Sequence, residues 1–302
     1  MNRQVKSLRK VVNDHKEKRL STFSSLPSSP RRIIAVTSGK GGVGKSNIAI
    51  NMAIALAFKT MKVLVIDADL GLANIDLLLG INTPYTLEHV ASGEVGLDEI
   101  QVQGPGGIKI IPGGSGVRCL LRASNEERNF LIRNLEGFDN EVDFTIIDTG
   151  AGLSDNVLSF LKFVNEIIVV TTPEPTSVAD AYATIKMIAY ENPNACIMVV
   201  VNMAANSRNA ENIAENLSIV AKRFLAIDIK YLGFIPRDSL VLKAVTLQQP
   251  FFLTYPSSNA SKAIIRLTEK LIDDNQKAAH NTNQGLAGLF SRIFDRVKIG
   301  YF

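Results

Sequence analysis

The sequence predicts one three-layer α/β domain over residues 33–272, with a mostly parallel sheet and helices on both faces. Apolar, β-branched runs alternate with helical segments along this stretch, which is typical of parallel strands joined by crossover helices. One run, residues 33–37, leads into a glycine-rich loop and an apolar helix. Two later runs end in aspartates, at the strand ends where open parallel sheets bind their ligands.

The glycine-rich loop, residues 39–46, fills every fixed position of the phosphate-loop pattern G-x-x-x-x-G-K-[ST]. Its glycines allow successive backbone N–H groups to face one phosphate, and the helix N-terminus adds partial positive charge. We expect Lys45 to reach the β- and γ-phosphates and the Ser46 hydroxyl to ligate Mg²⁺. The predicted nucleotide-binding residues of this segment are Gly39, Lys40, Gly41, Gly42, Val43, Gly44, Lys45, Ser46 and Asn47.

Positive charge is concentrated at the two ends of the chain. The net charge is +4, but residues 1–32 carry nine Lys and Arg against two acids, and residues 285–302 carry three against one. The body between them is therefore net negative, at −5. This distribution argues against a basic, DNA-binding core and indicates that each end meets an acidic membrane, protein or nucleic acid.

Cysteine usage and hydropathy disfavour several other classes of protein. Cys119 and Cys196 are far apart and form no C-x-x-C pair, so the sequence indicates reduced thiols in a cytosolic protein rather than a zinc or iron–sulfur site. No run approaches the roughly 18–20 apolar residues of a membrane span. The basic N-terminus also lacks the apolar block of a secretory signal.

The chain begins with a segment that we expect to lie outside the domain. Residues 1–20 predict a short basic amphipathic helix, because Val5, Leu8 and Val12 recur at helical spacing among lysines and arginines. Residues 21–32 are rich in serine and proline and predict a flexible linker.

The first half of the domain contains the two aspartate-ended strands. Residues 62–66 predict a buried strand that leads into Asp67, and residues 144–147 predict another that leads into Asp148. An acidic residue at such a strand tip can hold a metal-bound water. Between them we expect a polar connection over 81–107 with a short helix near 87–92, a short strand over 108–111 and a helix over 124–137. Ser124 and Glu127 form a capping box for that last helix.

The second half continues the alternation of strands and helices. We expect further strands over residues 166–171, 196–201 and 227–233, and helices over residues 207–224 and 257–272.

The chain ends in a polar linker, residues 273–284, and an amphipathic helix, residues 285–302. Apolar side chains follow i, i+3, i+4, i+7 spacing, and basic residues occupy the other face. The pattern favours an interfacial membrane helix, with the core of the protein itself as the alternative partner for the apolar face. The residues expected to contact lipid are Leu289, Phe290, Ile293 and Phe294.

The extra lysine in the loop points to a known family. The sequence K-G-G-V-G-K-S, with Lys40 after the first glycine, resembles the deviant Walker A ATPases of the MinD/ParA group. The resemblance implies ATP and Mg²⁺ as cofactors, and it implies that Lys40 reaches across a dimer interface to the phosphates of the partner. A solvated loop charge is the alternative for Lys40.

Two aspartate motifs carry the resemblance further. Residues 67–76 are similar to the D-x-D-x-G-x-x-N-x-D switch of MinD and FlhG, which implies that Asp69 positions the attacking water and that Asp67 supports Mg²⁺. Asp148 and Gly152 match the D-x-x-x-G of the family, which implies a metal role for Asp148. The Thr-Gly pair at 149–150 departs from the usual Ser/Thr-Pro.

Later segments imply partner and base contacts. Residues 172–181 resemble the T-x-P-E-x-x-S-x-x-D segment of the family, which implies that Asp180 lies at the dimer and partner surface. The alternative is a first-turn acid that stabilises the helix dipole. Asn202 and the I-P-x-D loop flank adenine in relatives, with a strand-end cap as the alternative for Asn202. The residues of that loop expected to contact the base are Pro236, Arg237 and Asp238.

The N-terminal segment and the C-terminal helix resemble one group within this family, the FlhG/FleN flagellar-number ATPases. Residues 3–9 resemble the D-Q-A-x-x-L-R activator motif of that group: Gln4, Leu8 and Arg9 match, whereas Arg3 and Val5 depart from it. The C-terminal helix resembles the membrane-targeting helix of MinD proteins.

The resemblance implies a cytoplasmic ATPase that dimerises with ATP, associates reversibly with the inner face of the cell membrane and stimulates the SRP-type GTPase FlhF. Flagellar switch proteins and a flagellar transcription regulator are further implied partners, and no specific nucleic acid is expected. The alternatives are a division-site MinD protein, which usually begins almost directly at its first strand, and a ParA-type partition ATPase, which needs a basic body.

Overall fold

The computed structural model describes residues 31–69, 75–81, 83–113, 124–139, 141–273 and 285–299. All of them belong to one compact unit, Arg31–Phe302. The predicted N-terminal helix, with Gln4, Leu8 and Arg9, lies outside the described residues, as does most of the predicted linker over 273–284.

The described strands are β1 Arg32–Ser38, β2 Val63–Ala68, β3 Val102–Gln103, β4 Lys109–Ile111, β5 Phe144–Ala151, β6 Glu166–Thr171, β7 Cys196–Ala204 and β8 Lys230–Pro236. The described helices are α1 Lys45–Phe58, α2 Ile75–Leu79, α3 Leu87–Ala91, α4 Leu97–Ile100, α5 Asn125–Asp139, α6 Asp155–Leu161, α7 Pro175–Glu191, α8 Ser207–Leu225, α9 Ser239–Thr246, α10 Phe251–Thr254, α11 Asn259–Asp273 and α12 Leu286–Ile299. A 3₁₀ turn, Pro105–Gly107, separates β3 from β4.

The strands form one eight-stranded sheet in the order β3-β4-β2-β5-β1-β6-β7-β8. Every neighbouring pair is parallel except β3 with β4, so the predicted fold class is confirmed. In a parallel sheet the C-terminal ends of the strands share one edge, and ligands bind there. The loop after β1 and the aspartates of β2 and β5 therefore meet at that edge.

Buried side chains cover both faces of the sheet. Helices α1, α10 and α11 pack on one face, where Ile48, Phe251 and Ile264 belong to one buried cluster. Helices α5 to α8 and α12 pack on the other face. Burying a side chain of this size stabilises the fold by about 1.5–3 kcal/mol relative to exposure, so these layers hold the functional edge of the sheet in place.

A buried ion pair holds the N-terminal ends of the central strands β1 and β6, at the end of the sheet away from the glycine-rich loop. The first strand begins at Arg32, a residue that the sequence analysis assigned to the linker. Its guanidinium donates to Glu166 at the start of β6, with Nε 2.7 Å from Oε1, and to the carbonyl of Leu271 at 2.6 Å. Beside this pair, Arg31, Phe163, Glu166 and Leu289 line a small cavity.

The C-terminal helix α12 packs on the body of the protein. Leu289, Phe290, Ile293 and Phe294 are each 1–3% exposed. The Phe290 ring stands edge-on to Phe160 of α6, with 6.1 Å between the ring centroids. In this structure the four residues expected to contact lipid are therefore core residues, which is the docked arrangement that the sequence left as the alternative.

Two arginines add polar contacts to this docked helix. Arg128 of α5 lies over the Phe294 ring and donates to the Phe294 carbonyl at 3.4 Å. Arg292 of α12 donates to the carbonyl of Phe163 at 3.3 Å.

None of the described helices could span a membrane, since none combines the necessary length with an apolar sequence.

Most of the predicted elements are present, with shifts at their ends. Strand β6 has the predicted bounds, and Ser124 and Glu127 form both hydrogen bonds of the predicted capping box before α5. Strand β8 begins three residues later than predicted, because Ala226 ends α8 in the left-handed conformation and the next residues are irregular. The sequence did not predict the short elements α2, β3, α4, α6, α9 and α10.

Candidate phosphate-binding site

The backbone of the loop between β1 and α1 is open to solvent on one side. Gly42 and Gly44 have φ angles of 78° and 86°, which glycine adopts without strain. A Cβ added at Gly41 or Gly42 would meet nothing within 4 Å, so this side of the loop faces open space. Within α1, no side chain caps the N-terminus and the first turn holds no acid. The first N–H groups of α1 therefore remain suited to an anion.

Two other glycines fix the loop between neighbouring elements. A Cβ at Gly39 would overlap the carbonyl group of Asp180 in α7, and a Cβ at Gly44 would overlap the amide nitrogen of Asn202 in β7. The backbone of the loop is thus in close contact with α7 on one side and with the end of β7 on the other.

The structure brings Lys45, Ser46 and Asp148 together. Nζ of Lys45 lies 2.6 Å from Oδ1 of Asp148 and 3.3 Å from Oγ of Ser46. The carboxylate of Asp148 is fully buried, and its Oδ2 has no hydrogen-bond partner among the described residues. Burial raises the pKa of Asp148, and the neighbouring Lys45 opposes that rise. A buried acceptor beside a hydroxyl is a suitable anchor for the water shell of Mg²⁺, so these residues fit the implied metal.

Asp67 and Asp69 lie on the adjacent strand end. Asp67 is the parallel register partner of Asp148 and is 1% exposed. Its carboxylate accepts from the backbone N–H groups of Asp69 at 3.0 Å and Ile75 at 3.3 Å, so it holds the ends of the segment after β2. Residues 70–74 of that segment lie outside the described part of the chain.

The Thr-Gly pair at the end of β5 has a clear structural role. The Thr149 hydroxyl donates to the Val36 carbonyl at 3.1 Å and so joins β5 to β1. A Cβ at Gly150 would lie 3.3 Å from Oδ1 of Asp69. The missing side chain therefore leaves room for the Asp69 carboxylate close to the end of β5.

The second lysine of the loop, Lys40, contacts the start of α7. Its Nζ lies 2.8 Å from Oε2 of Glu174 and 3.2 Å from Oγ1 of Thr176. Both charged side chains are solvent-accessible, 41% for Lys40 and 66% for Glu174. The hydrogen bond and charge of Lys40 lower the pKa of Glu174. The sequence pattern predicted neither of these two partners, although their segment directly follows β6, the strand beside β1.

Asp180 lies in the second turn of α7, and the first turn of that helix contains no acid. The alternative role as a first-turn acid is therefore wrong. Its backbone contacts Gly39, and its carbonyl accepts from the Thr184 hydroxyl at 2.9 Å. The assignment of Asp180 to a partner surface stays a prediction.

The expected base contacts are divided between two strand ends. Pro236 ends β8, and the N–H of the exposed Arg237 donates to the carbonyl of Ala204 at 3.0 Å. Asp238 caps α9 through the N–H of Leu240 at 3.0 Å and also accepts from the N–H of Ala260 at 3.2 Å. Both carboxylate oxygens of Asp238 thus have partners within the chain.

Asn202 also has partners at both ends of its side-chain amide. Its Nδ2 donates to the carbonyl of Val43 in the loop at 2.7 Å, and its Oδ1 accepts from the N–H of Met203 at 2.9 Å. The second contact is the strand-end cap that the sequence analysis left as the alternative to a base contact.

Taken together, the parallel sheet, the glycine loop at its C-terminal edge and the buried Lys45–Asp148 pair define a P-loop nucleoside triphosphatase. A family model described as "ParA: NUBPL iron-transfer P-loop NTPase" matches residues 29–272. The chain belongs to this ParA family, as the loop sequence implied.

Two curated proteins are similar along most of their length. The antiactivator FleN of Pseudomonas aeruginosa is 39% identical over 242 residues, which are 80% of this chain and 86% of FleN. The flagellum site-determining protein YlxH of Helicobacter pylori is 34% identical over 295 residues, which are 97% of this chain and 98% of YlxH.

A solved structure supports the same assignment. The septum site-determining protein MinD from Pyrococcus horikoshii, complexed with Mg-ADP, is 26% identical and superposes with a TM-score of 0.65. The match covers 80% of this chain and 96% of that chain. The chain is therefore a nucleotide-binding ATPase of the MinD/ParA group, related to FleN and YlxH.

Proposed function

We propose that this protein is an ATP-dependent dimer switch that regulates the number or placement of flagella from the cytoplasmic face of the cell membrane. The observation that carries the proposal is the solvent-accessible Lys40 at the outer end of the phosphate loop. Similarity to FleN and YlxH, the second along nearly the whole of both chains, supports the flagellar role.

Nucleotide binding is assigned to the inner end of the loop. Lys45 exchanges its contact with Asp148 for the β- and γ-phosphates of ATP, and the N–H groups of the glycine loop bind the same phosphates. Ser46, Asp148 and Asp67 would hold Mg²⁺ directly or through water, and the metal supplies charge neutralisation to the phosphates. Asp69, beside the end of β5, orients the attacking water.

Dimerisation is assigned to the outer end of the loop. The Lys40–Glu174 pair is exposed, and exposed ion pairs contribute little to stability. Lys40 can therefore leave Glu174 for the phosphates of ATP bound to a second copy. Hydrolysis removes the γ-phosphate, the contact across the interface weakens, and the dimer separates.

Membrane binding requires α12 to leave the body. Undocking exposes Leu289, Phe290, Ile293 and Phe294, at about 1.5–3 kcal/mol for each large side chain left in water. Insertion into a lipid surface recovers a similar amount, and Arg292 favours anionic headgroups. Docked and membrane-bound states of α12 are then close in free energy, so ATP-dependent dimerisation can shift the balance. Two helices in one dimer add avidity.

Residues 1–20 are assigned to stimulation of an FlhF-type GTPase. Pull-down of FlhF with a synthetic 1–20 peptide, followed by a GTPase assay, tests this part. Flagellar switch proteins and a flagellar transcription regulator are the further partners to include in the pull-down.

Light scattering on the full chain tests the switch itself. We expect the molar mass to double with ATP and to stay monomeric with ADP or without nucleotide. The same mass in all three conditions would refute the switch.

Co-sedimentation with anionic vesicles tests the role of α12. Phe290→Glu places a charge on the apolar face of α12 and should abolish ATP-dependent sedimentation. Phe224→Glu is the matched control, because Phe224 is an exposed phenylalanine of α8. Equal sedimentation of Phe290→Glu and wild type would contradict membrane binding through α12.

A further inference from the structure

A single asparagine at the end of β7 connects this strand to the phosphate loop. Asn202 is 8% exposed, and its Nδ2 donates to the Val43 carbonyl at 2.7 Å. We propose that Asn202 is a positioning residue for the phosphate loop and sets the affinity for the polyphosphate chain irrespective of the base. The proposal rests on nucleotide binding at this loop and is independent of dimerisation.

The backbone of β7 is shaped to present this side chain. The pairing of β7 with β8 shifts register between Val201 and Ala204, and Met203 adopts a positive φ of 56°. This turn brings the N–H of Met203 to Oδ1 of Asn202 at 2.9 Å. Because Oδ1 is engaged by a donor, the amide is oriented with Nδ2 toward the loop. A strained non-glycine backbone is thus used to aim one side chain.

The hydrogen bond fixes the orientation of a peptide plane in the loop. The Val43–Gly44 peptide is trans, since the described chain contains no cis peptide bond. The C=O and N–H of a trans peptide point in opposite directions. When Asn202 holds the Val43 carbonyl, the Gly44 N–H is directed away from Asn202. That N–H precedes α1 directly, among the donors that a phosphate loop offers to phosphate.

Gly44 and Asn202 are also in tight contact. A Cβ on Gly44 would overlap Nδ2 of Asn202, and the Val43 side chain is only 4% exposed. The loop therefore has little room to shift toward or away from β7. This preorganisation lowers the ordering cost of binding a phosphate chain.

Competition binding on the full chain separates loop positioning from base recognition. The competitors are Mg-ADP, Mg-GDP and Mg-pyrophosphate, displacing a fluorescent ADP analogue. Loss of one hydrogen bond predicts that Asn202→Ala weakens all three by a common factor of about tenfold. The ADP-to-GDP and ADP-to-pyrophosphate affinity ratios should stay within about twofold of wild type. ADP avoids any contribution from ATP-dependent dimerisation.

Other results would overturn the proposal. Retained pyrophosphate affinity with weakened ADP binding would identify Asn202 as a base contact, and unchanged affinity for all three would leave it no role in binding. Asn192→Ala is the matched control, since Asn192 Nδ2 donates to the carbonyls of Leu161 and Val164. It should lower thermal stability without changing affinity for any of the three competitors.

A double-mutant cycle tests whether Asn202 acts on nucleotide affinity through its contact with Gly44. Gly44→Ala should lower the ADP affinity of the wild type more than tenfold, because alanine is strained at the φ of 86° and the new methyl also overlaps Nδ2 of Asn202. The same change in the Asn202→Ala background should cost several-fold less, since part of the overlap has been removed. Equal losses in both backgrounds would mean that the strain at Gly44 accounts for the whole effect, and would overturn the role of Asn202 in positioning the loop.

Discussion

The two ends of the phosphate loop carry lysines five residues apart that behave differently. At the inner end, Lys45 is 7% exposed and bonds to the fully buried Asp148. At the outer end, Lys40 is 41% exposed and bonds to the more exposed Glu174. A buried pair is costly to break without a replacement partner, whereas an exposed pair exchanges partners readily. We therefore propose that Lys45 binds the nucleotide of its own molecule and that Lys40 reaches the nucleotide of a second copy.

The largest effect is expected at the inner end. Lys45→Ala should lower ATP affinity by at least about a hundredfold, because it removes two charge-assisted hydrogen bonds worth about 1.5–3 kcal/mol each. Titration calorimetry measures the change. Lys59→Ala is the control, since Lys59 forms an exposed pair with Glu269 far from the loop. If Lys45→Ala still bound ATP with micromolar affinity, the assignment of Lys45 rather than Lys40 to the bound nucleotide would be wrong.

Asp69→Ala tests whether Asp69 acts in ATP hydrolysis rather than in ATP binding. We expect ATP affinity to be retained and phosphate release to fall by about a hundredfold or more, the usual cost of losing a group that handles the attacking water. The ATP-bound dimer should accumulate. Asp228→Ala, at an exposed pair with Lys222, should hydrolyse ATP normally. Normal turnover in Asp69→Ala would rule out its catalytic role.

Lys40→Ala tests the outer end directly. We expect ATP affinity of the monomer to change by less than about threefold, because Lys40 contacts Glu174 rather than its own loop. Dimerisation with ATP should be lost, as measured by light scattering. A variant that still dimerises fully would place Lys40 outside the interface.

The smallest effect is expected for Glu174→Ala. Releasing Lys40 from its contact within the chain should strengthen ATP-dependent dimerisation by less than about threefold, with the difference vanishing at high salt. Sedimentation equilibrium at two ionic strengths measures this shift. Glu269→Ala provides the control. Weaker dimerisation in Glu174→Ala would show that Glu174 itself contributes to the interface.

The sequence predicted the fold class, the phosphate loop and the capping box of α5, because these features depend on local chemistry. The pattern of α12 predicted an amphipathic helix but could not determine what covers its apolar face, since lipid and protein core satisfy Phe290 equally well. Glu174 and Asn202 illustrate a further limit. Their contacts join residues 134 and 159 positions apart, and strand order alone brings them together.

Arg31 and Leu289 of α12 line the same cavity, at the end of the domain where β1 begins. The polypeptide enters the domain beside the helix with which the described chain ends, and the nucleotide site lies at the opposite pole. A second copy that approached the phosphate loop would therefore leave the contacts of Arg31 and Leu289 in place.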